Sequence, residues 1–169
     1  MSAKAAALAA GKASYPNPEI EPAPEAGFLA GTSLLTQDGE LPVEFVSPGD
    51  RIITRDHGFA PLHHVTRARQ TVRAIRFAAG SLGDTRPDCD LILPAGQAVL
   101  IRDWRAQALF GTKQAMVRAD ALVDGEFICD LGPRDMQLFQ LHFDAAHVLY
   151  AGGLEVAGQC LPAAGRLAA

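Results

Sequence analysis

Cysteine is scarce in this chain of 169 residues, occurring only at 89, 129 and 160. The three form no CxxC pair and no metal-ligand spacing, so they read as reduced, mostly buried thiols. Cys160 as a reactive thiol is the alternative, but nothing near it in sequence would activate it. Long apolar runs are also missing, and none reaches the length that spans a bilayer. The Ala-rich start carries an apolar stretch only from Ala5 to Ala10. Lys12 stands where a signal peptide would offer small residues for cleavage. There is no basic excess either. The net charge is −4, which argues against a general nucleic-acid binder. The six arginines between Arg51 and Arg76 are expected on solvent-facing strand positions. Gly-rich phosphate loops and a Gly-x-Ser-x-Gly elbow are absent, and no window keeps a 3.6-residue apolar period.

What is present is a soluble globular composition, 49% apolar and 20% charged, long enough to bury a core without metals or disulfides. Residues 1–26 are low in complexity. Four prolines between Pro16 and Pro24 remove ladder donors and favour extended states, so the segment is expected to be a disordered tail or linker. The folded domain is expected over 27–160, with 161–169 as a C-terminal tail. Within it, short apolar runs alternate with turn chemistry. Asp38-Gly39 marks a hairpin after Ser33–Thr36, and Ser47-Pro48-Gly49-Asp50 closes a strand expected over Val43–Val46. Further strands are expected at Arg51–Arg55, Leu62–Arg67, Thr71–Phe77, Leu91–Leu93, Ala98–Arg102, around Val117, Phe127–Cys129, Met136–Phe143 and His147–Ala151. A polar loop fills Gly80–Asp90, and Arg118–Val123 is the one expected helix. The fold class that follows is all-β, a barrel or sandwich-like form with little helix.

Several stretches together resemble the bacterial subfamily of Hint domains, the module of hedgehog autoprocessing domains and inteins. Gly27-Phe-Leu-Ala-Gly-Thr-Ser-Leu-Leu-Thr-Gln-Asp-Gly-Glu40 is similar to the family's opening, where a cysteine precedes Phe-x-x-Gly-Thr. Pro42-Val-Glu-Phe-Val-Ser-Pro-Gly-Asp-Arg-Ile-Ile-Thr-Arg55 matches the family's Pro-Val-Glu, Pro-Gly-Asp and Thr-Arg elements nearly position for position. Asp90–Ile101, Leu109–Gly111, Ala119–Gly125 and Leu138–Asp144 also have counterparts. The resemblance implies a disc of two related, intertwined β halves. It also implies an activity: a thiol attacks the preceding carbonyl, and a histidine protonates the departing amide nitrogen.

The residues at those positions lack that chemistry. Gly27 stands where the nucleophilic cysteine would be. Gln97 stands at the histidine position, and a neutral amide cannot give up a proton. Pro94 replaces the hydroxyl residue three places earlier, and Gln140 the aspartate found in many inteins. Thr32 and Ser33 lie too far along to act as nucleophile. Ala157-Gly158 occupies the terminal His-Asn pair. No position receives a catalytic role, and His147 is the one retained candidate, with His142 nearby. In the bacterial subfamily the last-block histidine would fall on Ala146 instead.

The function expected is therefore a catalytically inactive Hint-fold domain serving as a structural or interaction module with a protein or peptide partner. A passenger domain ahead of Gly27 is not expected, because the Pro-rich tail makes a poor processing product. One alternative is self-cleavage by an unorthodox route through His147. Another is a small-molecule or peptide binder in the vacated cleft. No cofactor, metal, nucleic acid or membrane is expected. His63 and His64 should face opposite ways and so cannot share a metal, and Asp84, Asp88 and Asp90 lack the loop that calcium needs. The expected compartment is cytoplasmic, with secretion without a cleaved signal peptide as the alternative.

Overall fold

The computed structural model describes residues 26–83 and 86–160. The expected tails, up to residue 25 and from 161 on, and Asp84 of the acidic loop, lie outside them. The described residues form thirteen strands in two sheets, as an all-β fold requires.

The chain opens with β1 (Phe28–Leu29), β2 (Ser33–Thr36) and β3 (Gly39–Pro42), followed by a single 3-10 turn over Val43–Phe45. Next come β4 (Arg51–Thr54), β5 (Gly58–Pro61) and the long β6 (His64–Phe77). The second run begins with β7 (Leu91–Pro94) and β8 (Ala98–Ile101). A short helix α1 (Trp104–Phe110) leads to β9 (Ala115–Arg118) and a 3-10 turn over Ala119–Leu122, and then to the long β10 (Ile128–Phe143). β11 (Val148–Ala151), β12 (Leu154–Ala157) and β13 (Gln159–Cys160) complete the fold.

The two runs repeat one plan: a strand, a tight turn, a hairpin, a 3-10 turn and a long strand. They are intertwined, because each long strand borrows the other run's first strand. In the sheet ordered β1-β10-β6-β7, β1 pairs antiparallel with β10 and β7 with β6. β6 and β10 pair antiparallel from His64↔His142 to Phe77↔Ile128, interrupted by a bulge between Asp130 and Gly132. β13 adds to β10 in parallel. The other sheet runs β3-β2-β4-β11-β12-β8-β9, with β5 on β4.

One core joins both sheets, and Phe28, Leu34, Ile52, Ile75, Phe77, Leu93, Ile101, Ile128, Phe143, Leu149 and Val156 belong to it. Phe28 explains how a strand of two residues holds its place. Its side chain is 1% exposed, and burying such a side chain contributes about 1.5–3 kcal/mol. That anchor fixes where Ala26 and Gly27 enter.

Several expected elements take another form. Val43–Val46 is a 3-10 turn rather than a strand: Val46 N–H donates to Val43 O at 3.3 Å, and Val43 alone of the turn is buried. Arg118–Val123 is a four-residue 3-10 turn instead of a two-turn helix. The pairs Leu62–Arg67 with Thr71–Phe77, and Phe127–Cys129 with Met136–Phe143, are each one continuous strand. Their polar middles are offset along the ribbon, so the polar stretch of each strand pairs with apolar residues of the other: Met136 and Leu138 lie opposite Gln70 and Ala68, and Val72 and Ala74 lie opposite Arg134 and Gly132, in a small buried cluster of their own. α1 was not expected. Its signals are local: Asp103 accepts from Arg105 N–H at 3.0 Å as the N-cap, and Gly111, with φ +70°, closes the C-terminus. No helix among the described residues is long and apolar enough to cross a membrane.

Candidate functional site

The register Phe28↔Phe139 and Leu29↔Leu138 puts Gly27 opposite Gln140 at the start of β1. Gly27 has φ +136°, a conformation that side-chain-bearing residues rarely adopt. A Cβ built there would meet Phe139 O at 2.9 Å and Gln140 Cγ at 3.3 Å. The turn between β7 and β8 delivers Gln97, which is 1% exposed. Its Oε1 accepts from Gly27 N–H at 2.9 Å. Its Nε2 donates to Ala157 O at 2.9 Å and to Ala98 O at 3.0 Å. From the other side, Gln140 Nε2 donates to Ala26 O at 2.9 Å.

Both amide orientations follow from these partners. A backbone N–H can only donate and a backbone C=O can only accept. Gln97 must therefore turn its oxygen to Gly27, and Gln140 its nitrogen to Ala26. The Ala26–Gly27 peptide is thus held at both ends, with an acceptor on its N–H and a donor on its C=O. Pro94 stands at the end of β7, where its carbonyl accepts from Gln97 N–H at 3.0 Å, and it adds no side-chain polar group.

His147 is drawn elsewhere. The ring is buried, and its Nδ1–H donates to Asp56 Oδ2 at 3.0 Å. Asp56 Oδ1 accepts from Val148 N–H at 2.9 Å, so one carboxylate fixes both ring and backbone. Phe143 meets the ring edge-on and His57 lies tilted beside it, each with centroids 5.6 Å away. His147 O accepts from Gly158 N–H at 3.1 Å, and Ala157 pairs with Val148. Its backbone therefore reaches the Ala157-Gly158 segment that Gln97 also touches. No described hydrogen bond joins its ring to Gly27 or Gln97. Ala146 is half-buried and carries no polar side chain.

The model for the Hint domain matches residues 26–158. The chain belongs to the Hint domain family. Solved structures similar to this Hint domain include a bacterial intein-like domain from Clostridium thermocellum, 14% identical, covering 79% of this chain and 98% of its own, with TM-score 0.55. A DnaB intein from Synechocystis is 12% identical, covering 79% and 99%, with TM-score 0.55. A variant of the Ssp DnaB mini-intein is 13% identical, covering 82% and 98%, with TM-score 0.58. At these identities the likeness is one of fold. No curated protein sequence matches.

Elsewhere in the Hint domain, His142 connects to the clamped peptide through Thr66 and Gln140. His142 Nε2 lies 3.1 Å from Thr66 Oγ1, which lies 3.3 Å from Gln140 Oε1. His64 is opposite His142 in the β6–β10 ladder, with ring centroids 5.6 Å apart. Burial first, and His64 second, hold the His142 imidazole below its ordinary range. His63 reaches Asp144 at 3.9 Å instead, so His63 and His64 engage different partners. Among the described residues no group of His, Cys, Asp and Glu could hold a metal. Asp90 is taken up by Arg76 at 3.0 Å and by Ala79 N–H at 2.9 Å.

Sequence reasoning named Gly27, Gln97 and Gln140 but missed Asp56 and Thr66. Asp56 sits 91 residues before His147, in a tight turn where an aspartate needs no other explanation. Thr66 is ordinary strand composition. Only pairing across β6 and β10 sets it against Gln140.

Proposed function

We propose that this Hint domain keeps the autoprocessing fold as an inactive module that holds the Ala26–Gly27 peptide without cutting it. The observation that carries the reading is the polarity of the two glutamines. Cleavage needs a proton at the departing nitrogen, yet Gln97 presents an oxygen to Gly27 N–H. An acceptor on the N–H and a donor on the C=O both favour the resonance form with C–N double-bond character, so they reinforce the planar amide. Gln140 alone would polarise the carbonyl toward attack. The residue at the position assigned to the attacking thiol, however, is a glycine whose backbone conformation disfavours any side chain. The thiol, acid and aspartate positions hold a glycine and two amides, one accepting from Gly27 N–H and the other donating to Ala26 O.

The held peptide moors the preceding segment to the domain, which suits a structural or interaction role. Intact mass of the purified chain, incubated with dithiothreitol across pH 5 to 9, tests this. The expected result is an unchanged mass. Thiol-dependent loss of residues 1–26 would sink the reading and favour unorthodox self-cleavage.

A further inference from the structure

We infer that Thr66 and His142 are positioning residues for this site, and that they form a directional hydrogen-bond wire aiming the Gln140 amide at the Ala26 carbonyl. The inference deepens the reading of Ala26–Gly27 as a held, uncleaved peptide and rests on it.

The direction is set from the carbonyl end. Ala26 O only accepts, so Gln140 gives it Nε2–H at 2.9 Å and turns Oε1 the other way. Oε1 needs a donor, and Thr66 Oγ1–H supplies it at 3.3 Å. The hydroxyl has one hydrogen, so toward His142 Nε2, at 3.1 Å, it must accept. His142 therefore carries its proton on Nε2. Thr66 and Gln140 are directly opposite in the β6–β10 ladder, and His142 is the next residue on the same face, which is why three side chains can line up.

The wire couples a titrating ring to a backbone carbonyl. Neutral imidazole has two tautomers. The one with its hydrogen on Nδ1 would draw the Thr66 hydrogen to itself and leave Gln140 Oε1 without a donor. Imidazolium always donates from Nε2, so protonation removes that choice and polarises every link beyond it. Several groups face His142 from the elements packed around it. His64 approaches from β6. Gln159 pairs with His142 from β13, and Cys160 follows it. From the segment before β6, His63 donates its N–H to His142 O at 2.9 Å and faces Asp144, just past β10. The link from His142 Nε2 to Gln140 runs through Thr66 Oγ1.

Nuclear magnetic resonance of the full-length chain, labelled with carbon-13 and nitrogen-15, tests the wire. In the unmodified protein the Ala26 carbonyl carbon and the Gln140 side-chain nitrogen should shift with pH along the same midpoint as the His142 ring. Thr66→Val keeps the shape and removes the hydroxyl. It should abolish that shared midpoint while His142 still titrates, and Thr66→Ser should retain it. His142→Gln should leave both signals flat. If Thr66→Val does not fold, the unmodified protein and the other two variants still decide. Flat Ala26 and Gln140 signals in the unmodified protein, or an unchanged response in Thr66→Val, overturn the wire. Intact mass on the same samples keeps the two ideas apart. Cleavage before Gly27 overturns the held-peptide reading, whereas a flat titration on an intact chain overturns the wire alone.

Discussion

Thr32 and Gln97 occupy the same place in the two halves of the domain. Each N–H closes the turn after a first strand, Thr32 onto Leu29 O at 3.1 Å and Gln97 onto Pro94 O at 3.0 Å. Each carbonyl accepts from the start of a 3-10 turn, Thr32 from Val43 N–H and Gln97 from Ala119 N–H, both at 2.8 Å. The backbone roles match, and the side chains set the halves apart. Only Gln97 reaches across to Gly27 and Ala157.

Gln97→Leu should therefore cost more than Thr32→Val. Leucine preserves volume but leaves Gly27 N–H and Ala157 O buried without their side-chain partner. The expected loss is on the order of 1–3 kcal/mol in urea unfolding. Thr32→Val leaves its backbone bonds intact. Equal losses for the two variants would refute the claim that the Gln97 side chain does more than fill space.

Any side chain at position 27 should destabilise. Gly27→Ala meets both an unfavourable φ and the Phe139 carbonyl, a backbone atom that cannot swing away. A cost of about 1–3 kcal/mol is expected. Gly27→Cys inherits the same strain, so alone it should show no thiol-dependent cleavage by intact mass. Adding Gln97→His and Pro94→Thr supplies an acid and a hydroxyl and should give more, though slowly, because the strand must still shift. Rapid cleavage by Gly27→Cys alone would show that Gln97 is no obstacle.

Acid should weaken the fold through His142. Its folded-state pKa lies below the unfolded value because burial, and then His64, disfavour the charged ring. Between those two values the unfolded chain binds more protons, so stability rises with pH there. The contribution is complete above the ordinary imidazole range and is lost as pH falls through the lowered folded value. His142→Gln should flatten that part of a stability-versus-pH curve measured by urea unfolding. An unchanged curve would mean other groups govern the acid response.

Glu155→Gln should loosen the ion-pair cluster on β12. Glu155 is 5% exposed and faces Arg102 at 2.7 Å, with Arg55 and Arg86 each at 3.5 Å. Breaking a buried ion pair costs about 3–5 kcal/mol, but the three arginines are 25–36% exposed and partly solvated. Roughly 1–3 kcal/mol is therefore expected. Thermal unfolding of Glu155→Gln beside the unmodified chain measures it. A change within error would assign the cluster to surface solvation alone.

The sequence by itself determined the class of fold and the family. Alternation, β-branched runs and turn residues act over a few neighbours, so Ser33–Thr36 and Arg51–Thr54 were legible as strands. The ordered blocks from Gly27 onward mark Gly27, Gln97 and Gln140 as family positions. What local pattern could not convey was continuity. The polar middles of β6 and β10 read as breaks, because the apolar residues that back each polar stretch, Met136 and Leu138 for β6 and Val72 and Ala74 for β10, lie on the opposite strand. Likewise Val43–Phe45 reads as a strand by composition, yet it turns because Val43 N–H must meet Thr32 O at 2.8 Å. The tertiary structure alone decided which atoms the marked residues meet. Sequence says that Gln97 cannot donate a proton. Only the crossing of the two halves turns its oxygen to Gly27, sets Gln140 on the neighbouring carbonyl, and binds His147 to an aspartate 91 residues away. Hydrogen-bond direction depends on which partner lies opposite, and that is fixed by strand register between segments far apart in the chain.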